Sequence, residues 1–180
     1  MKNCVKNIII KNKSENGFSL MGVLISVYII LTALVGIMAL ISSINASASA
    51  SSSRLVAANL AQEGIEVVKN IRDLSLDTSN WDNWYDLFSG SSEYLVQYDD
   101  TSLWRAWQDI PLKYDTVTGL YGYDAGIVTP FAYKRKITLT SLTQDIDGNT
   151  IEIKVSVQIT WVEHGRAGSL TVEDRLWNWR

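Results

Sequence analysis

The sequence predicts an α+β protein: one long N-terminal α-helix, membrane-spanning over its first half, packed through its second half against a C-terminal antiparallel β-meander. Three observations carry this. Residues 18 to 44 are a run of 27 residues without a charge. Residues 54 to 74 keep apolar side chains at spacings of three and four, the period of a helix with one buried face. Residues 151 to 161 alternate strictly between apolar and polar, the period of a strand with one buried face.

The apolar run comes first in the chain. A hydrocarbon core needs roughly 20 apolar residues in a helix, so residues 18 to 44 are long enough to cross one. No charge occurs from residue 16 to residue 53, so the crossing buries no ion. Lys2, Lys6, Lys11 and Lys13 precede the run and Glu15 is the only acid there. That bias keeps the N-terminus cytoplasmic in a single-pass topology, with the rest of the chain outside the cytoplasmic membrane.

The junction of leader and apolar run reads Gly17, Phe18, Ser19, Leu20. It resembles the prepilin cleavage and methylation signature of type IV pilins and pseudopilins, and residues 1 to about 74 fit that family's leader and long N-terminal helix. The segment AANLAQEGIEVVKNIRD, residues 57 to 73, is also similar to the corresponding helix of pilin-like proteins. The resemblance implies that Gly17 is the last residue of the leader and Phe18 the methylated first residue of the mature chain. Ser19, Leu20, Val23 and Leu24 fall on the positions that follow in the assembly helix. The partners implied are a prepilin peptidase and methyltransferase, the membrane before assembly, and other pilin subunits bundled through their N-terminal helices in a cell-surface filament. Gly22 departs from the pattern, since most members carry Glu at this fifth mature position. The resemblance therefore points to a minor structural subunit, of either a type IV pilus or a secretion pseudopilus, with a pilin-like fold. Two plainer readings address the same stretch. One is a secretory signal peptide cut near Ala46-Ser47-Ala48, but the apolar run is about twice the usual length for that. The other is a membrane anchor that is never processed.

Four regions follow: a leader, 1–17; a transmembrane or filament-core helix, 18–44; its amphipathic continuation, 45–74; and a β-rich domain, 75–180. The whole chain of 180 residues has a net charge of −3. Without the leader, 12 basic residues face 18 acidic ones, a net charge of −6. Such a chain is a poor general binder of nucleic acid. Lys134-Arg135-Lys136 is the one basic cluster; alternation puts Lys134 and Lys136 on one strand face and Arg135 on the other, and the cluster reads as a solvated strand face rather than a nucleic-acid patch. Cys4 is the sole cysteine and lies in the leader, so the exported part relies on packing rather than disulfides.

The segment NASASASSS, residues 45 to 53, has a linker's composition, yet alanine favours helix and serine opposes it only mildly. The first proline is Pro111. One helix is therefore expected from Phe18 to about Leu74. Val56, Leu60, Ala61, Gly64, Val67, Val68, Ile71 and Leu74 mark its buried stripe. Glu63, Glu66 and Lys69 belong to the wet side, with Glu66 and Lys69 paired. Residues 75 to 130 read as loops, with short strands at 94–98 and 103–107 and turns at Gly119 and Gly122. In the last 50 residues Tyr133, Arg135, Ile137 and Leu139 alternate on one strand. Ile151, Ile153, Val155, Val157, Ile159 and Trp161 form the buried row of the next, and Leu170, Val172 and Leu176 lie on a third. Turns at 145–149 and 164–168 make these three strands a meander. The helix stripe is the cover its apolar face needs.

No catalytic or cofactor constellation is present in this pattern, and the chain reads as a non-enzyme. His164, the only histidine, falls in a predicted turn without a nucleophile motif. A zinc site needs three or four ligands, and the Asp145-x-Asp-Gly-Asn run lacks the closing Glu of a calcium loop, so it reads as a hairpin turn. Seven tryptophans suggest a second function of another class. In it the helix is only a tether, and the domain is an adhesin-like module recognising glycan or another surface. Core filling is the plainer role for most of them. Trp177 and Trp179 fall on the face opposite Leu170 and Val172, as candidate surface aromatics.

Overall fold

A computed structural model describes residues 20–77, 93–100, 105–144 and 150–177. The architecture is α+β: one long helix followed by antiparallel sheets. Helix α1 runs over Leu20–Asp77 without interruption, through the Ala/Ser segment. With no proline to remove a donor, alanine's propensity outweighs the mild cost of the serines. Two compact units divide the chain, Met1–Ala46 and Ser47–Arg180.

In the second unit, strands β1 (Glu93–Leu95), β2 (Arg105–Ala106), β6 (Lys134–Gln144), β7 (Thr150–Glu163) and β8 (Arg166–Trp177) form a five-stranded sheet ordered β2-β1-β6-β7-β8. The expected meander is its β6-β7-β8 part, antiparallel throughout. Two short strands extend it on the β6 side, with Tyr94 opposite Ile137 and Ala106. A second sheet, ordered β4-β3-β5, is built from β3 (Lys113–Tyr114), β4 (Tyr121–Gly122) and β5 (Ile127–Val128). It replaces the loop expected there, and Gly122 lies in a strand rather than a turn. Gly119 does occupy a turn position, with φ of 74°.

The apolar row of β7 is buried from Ile153 to Trp161, and Ala57, Leu60, Ala61, Ile65, Val67, Val68 and Ile71 join the same core from α1. Ile65 and Ala57 widen the stripe beyond the expected positions, as a helix under a broad sheet requires. The stripe stops at Ile71, and Leu74 is exposed. Gly64 lets the helix approach closely: a Cβ there would stand 3.1 Å from Val157 Cγ1 and 3.2 Å from Arg135 Cδ.

Four polar expectations need correction. Arg135 is fully buried, while Lys134 and Lys136 are half-buried and paired with Asp109 and Glu93. Glu63 leaves the solvated face to pair with Arg135, at 2.9 Å. Lys69 reaches Asp174 on β8 rather than Glu66, and Glu66 accepts from Gln62. Glu152, placed by alternation on the wet face, is buried because Thr143 and Arg175 from both flanking strands donate to its two oxygens. Burial of a charge is tolerable once it is so paired.

The β7–β8 turn is tighter than expected. It contains only His164 and Gly165, both at positive φ (48° and 76°), as in a type I′ hairpin. Arg166, Ala167 and Gly168 already belong to β8. The expected turn at 145–149 lies outside the described residues.

Candidate functional site

The first half of α1 is the most unusual surface of the chain. Seventeen large apolar side chains between Leu20 and Ile44 are exposed, among them Leu20 (78%), Leu24 (62%) and Val23 (41%). This helix is long and apolar enough to cross a membrane. Two of its polar side chains meet the demand that a hydrocarbon solvent would make. Ser26 Oγ donates to the Gly22 carbonyl at 2.7 Å, and Thr32 Oγ1 donates to the carbonyls of Tyr28 and Ile29. Neither hydroxyl needs water. Around Gly22, a Cβ would meet nothing within 4 Å among the described residues. Gly17 and Phe18, the predicted processing pair, lie outside the described residues, as does Trp179.

Farther along α1, Ser49 and Ser53 stand one helical turn apart, and both hydroxyls donate to Glu163 at the end of β7. Those two hydrogen bonds, Ser49's first, hold the Glu163 carboxyl below the usual carboxylate range. Tyr133 Oη donates to the Ser53 carbonyl at 3.2 Å, and burial pushes the Tyr133 phenol up to about 12. Sequence reasoning missed this cluster, whose signal was two serines spaced by four in an otherwise linker-like run. His164 Nδ1 is 3.9 Å from Glu163 Oε1. The base that the two serine hydroxyls meet is therefore this carboxylate, a weak one because the same hydrogen bonds hold it below its usual range.

The carboxylates near the small sheet are likewise committed to structure. Asp124 is held below its usual range first by Arg105 and then by Gln97, which both donate to it. Asp115 is held down by the Val117 N–H and then the Thr118 hydroxyl of its own turn.

The described aromatics divide sharply. Tyr133 lies at the centre of a cluster with Phe131, Tyr121 and Trp161, at ring separations of 5.9 to 6.2 Å. Tyr133 and Trp161 belong to the core, and the half-buried Phe131 and Tyr121 pack against it. Trp107 packs against it and lies 5.3 Å from the Lys136 ammonium. Trp177 is 51% exposed, on the face where alternation placed it. It stands opposite Glu152 in the β7–β8 register.

Comparison with protein-family models, curated proteins and solved structures gives no match.

Proposed function

We propose that the chain is a minor structural subunit of a type IV pilus or of a secretion-like pseudopilus, held in the cytoplasmic membrane by the first half of α1 until assembly. The observation that carries this reading is the exposed, uncharged apolar surface from Leu20 to Ile44, directly after the Gly17 and Phe18 junction. Lipid tails solvate that surface before assembly. Neighbouring subunit helices cover it afterwards, so the same residues serve both states without exposing apolar area to water. The partners are a prepilin peptidase and methyltransferase at the junction and other pilin subunits along the helix.

Intact-mass measurement of the protein from its native membrane tests the processing step. The expected mass lacks residues 1 to 17 and carries one added methyl group on the Phe18 amine. A chain beginning at Met1, or cut after Ala48, refutes it.

Gly22 supports a minor rather than a shaft role. The described residues leave room for a side chain at this position, so packing among them does not impose the glycine. Without a carboxylate there, the Phe18 amine has no intramembrane counter-charge from the next copy, a contact that repeated addition of identical subunits would use. In sheared filaments this chain is expected in trace amounts. Filaments made mainly of it would overturn the assignment.

A further inference from the structure

We propose that the end of the β-domain formed by the β7–β8 hairpin and the serine-rich turns of α1 is a docking surface for anionic lipid headgroups of the membrane that holds the helix. The inference rests on the reading of residues 18–44 as a membrane span.

The surface follows from the Glu163 cluster. Ser49 and Ser53 fix the hairpin to α1 through Glu163. Arg54, the next helix residue, is exposed and close enough to help hold the Glu163 carboxyl down. Arg166, opposite Glu163 across the two-residue turn, is exposed as well. Glu163 itself has both oxygens occupied by serine hydroxyls, so two exposed guanidinium groups flank an acid that is already satisfied. Beside them His164 is 78% exposed and the apolar Val162 is 50% exposed. The Val162 N–H donates to the Phe131 carbonyl, which brings the exposed Pro130 turn to the same end. A cationic rim with a little apolar surface inside it suits a headgroup layer. It also contrasts with the net charge of −6 on residues 18 to 180.

Chain position supplies the occupant. Ser49 follows Ile44, the last large apolar residue of the run, by five residues, a tether of at most roughly 18 Å in any conformation. Headgroups extend roughly 5–7 Å beyond each side of the hydrocarbon, and the field of an anionic surface reaches about 8 Å farther at physiological salt. A hairpin held on so short a tether can reach that surface, however the two units are arranged. Each arginine near it is expected to shift the docked-to-free ratio about fivefold.

The test uses the full chain in lipid vesicles, with Cys4→Ser and a fluorophore on Ala167→Cys, an exposed position beside Arg166. A quencher attached to the lipid headgroup reports docking. Vesicles containing about a third phosphatidylglycerol should quench strongly and pure phosphatidylcholine vesicles weakly. Arg54→Gln and Arg166→Gln should each reduce the docked-to-free ratio about fivefold, and salt near 1 M should abolish the difference. Arg166→Lys should retain docking, since charge rather than guanidinium geometry drives it. Lys154→Gln, a loss of charge on the middle of β7, should change nothing. Equal quenching in the two vesicle types, or arginine variants that behave like the parent, would overturn the proposal. Alkaline extraction of the same vesicles separates the two levels of inference. A chain that washes out refutes the span and the docking that depends on it, whereas a retained chain with no arginine effect refutes the docking alone.

Discussion

Val157→Asp is expected to unfold the β-domain, and Gln158→Asp, one residue farther along the same strand, to leave it folded. Val157 is fully buried. It lies between Ile137 on β6 and Val172 on β8, and its methyl group fills the space that the missing side chain of Gly64 leaves on the helix. An aspartate there would put a carboxylate among apolar groups and helix backbone, beside an Arg135 whose charge Glu63 already balances. Burial of an unpaired charge costs several kcal/mol even after relaxation. The entire stability of a domain is only about 5–15 kcal/mol. Gln158 occupies the wet face between Lys136 and Thr171, where a carboxylate remains hydrated and has a cation beside it. Urea titration of the detergent-solubilised chain, followed by tryptophan fluorescence, measures both, because Trp161 lies on the same buried row as Val157. Equal losses at the two positions would mean that β7 is buried on both faces.

That contrast was legible in the sequence because a period of two persisted over eleven residues of β7. The helix stripe was legible for the same kind of reason, and the positions from Leu60 to Ile71 are where a period near 3.6 placed them. Shorter elements had no such signal. A strand of two residues, such as β3 or β4, cannot display a period, so the small sheet read as a loop. Gly168 misled in a different way. It looked like part of a turn, but it sits in β8 opposite Trp161, and a Cβ on it would run into the indole ring. The glycine records a packing contact rather than a chain reversal. Buried polar residues were the least legible of all. Alternation put Arg135 in line with Tyr133, Ile137 and Leu139, yet its acceptors come from α1 and from Val96, far away in sequence. Glu152 depended in the same way on Arg175 and Thr143. The Glu163 cluster needed the hairpin to fold back onto Ser49 and Ser53. The proposed processing junction is a different case, since its only support is linear, the residues Gly17 and Phe18 themselves.

The buried ion pair between Arg135 and Glu63 yields an asymmetric expectation: removing the acid should cost more than removing the base. Arg135 has no solvent exposure, whereas the Glu63 side chain is 29% exposed. The guanidinium donates through Nη1 to the Leu60 carbonyl at 3.1 Å and to Glu63 at 2.9 Å, and through Nη2 to the Val96 carbonyl. Its Nε has no hydrogen-bond partner among the described residues. Glu63→Leu would leave that cation inside the core with two neutral carbonyls and no counter-charge, a loss of about 3–5 kcal/mol. Arg135→Met would leave Glu63 free to turn toward water. The Leu60 carbonyl still has its place in the helix, so Val96 is the principal acceptor stranded, at about 1–3 kcal/mol. The double variant removes the stranded charge together with its partner. It should be no less stable than Arg135→Met alone, giving a coupling energy of opposite sign to the single losses. Denaturant midpoints of the three variants and the parent decide this. If Arg135→Met proved the more damaging single change, the pair would owe its contribution to the hydrogen bonds that join β6 to α1 and β1, and not to neutralisation of a buried charge.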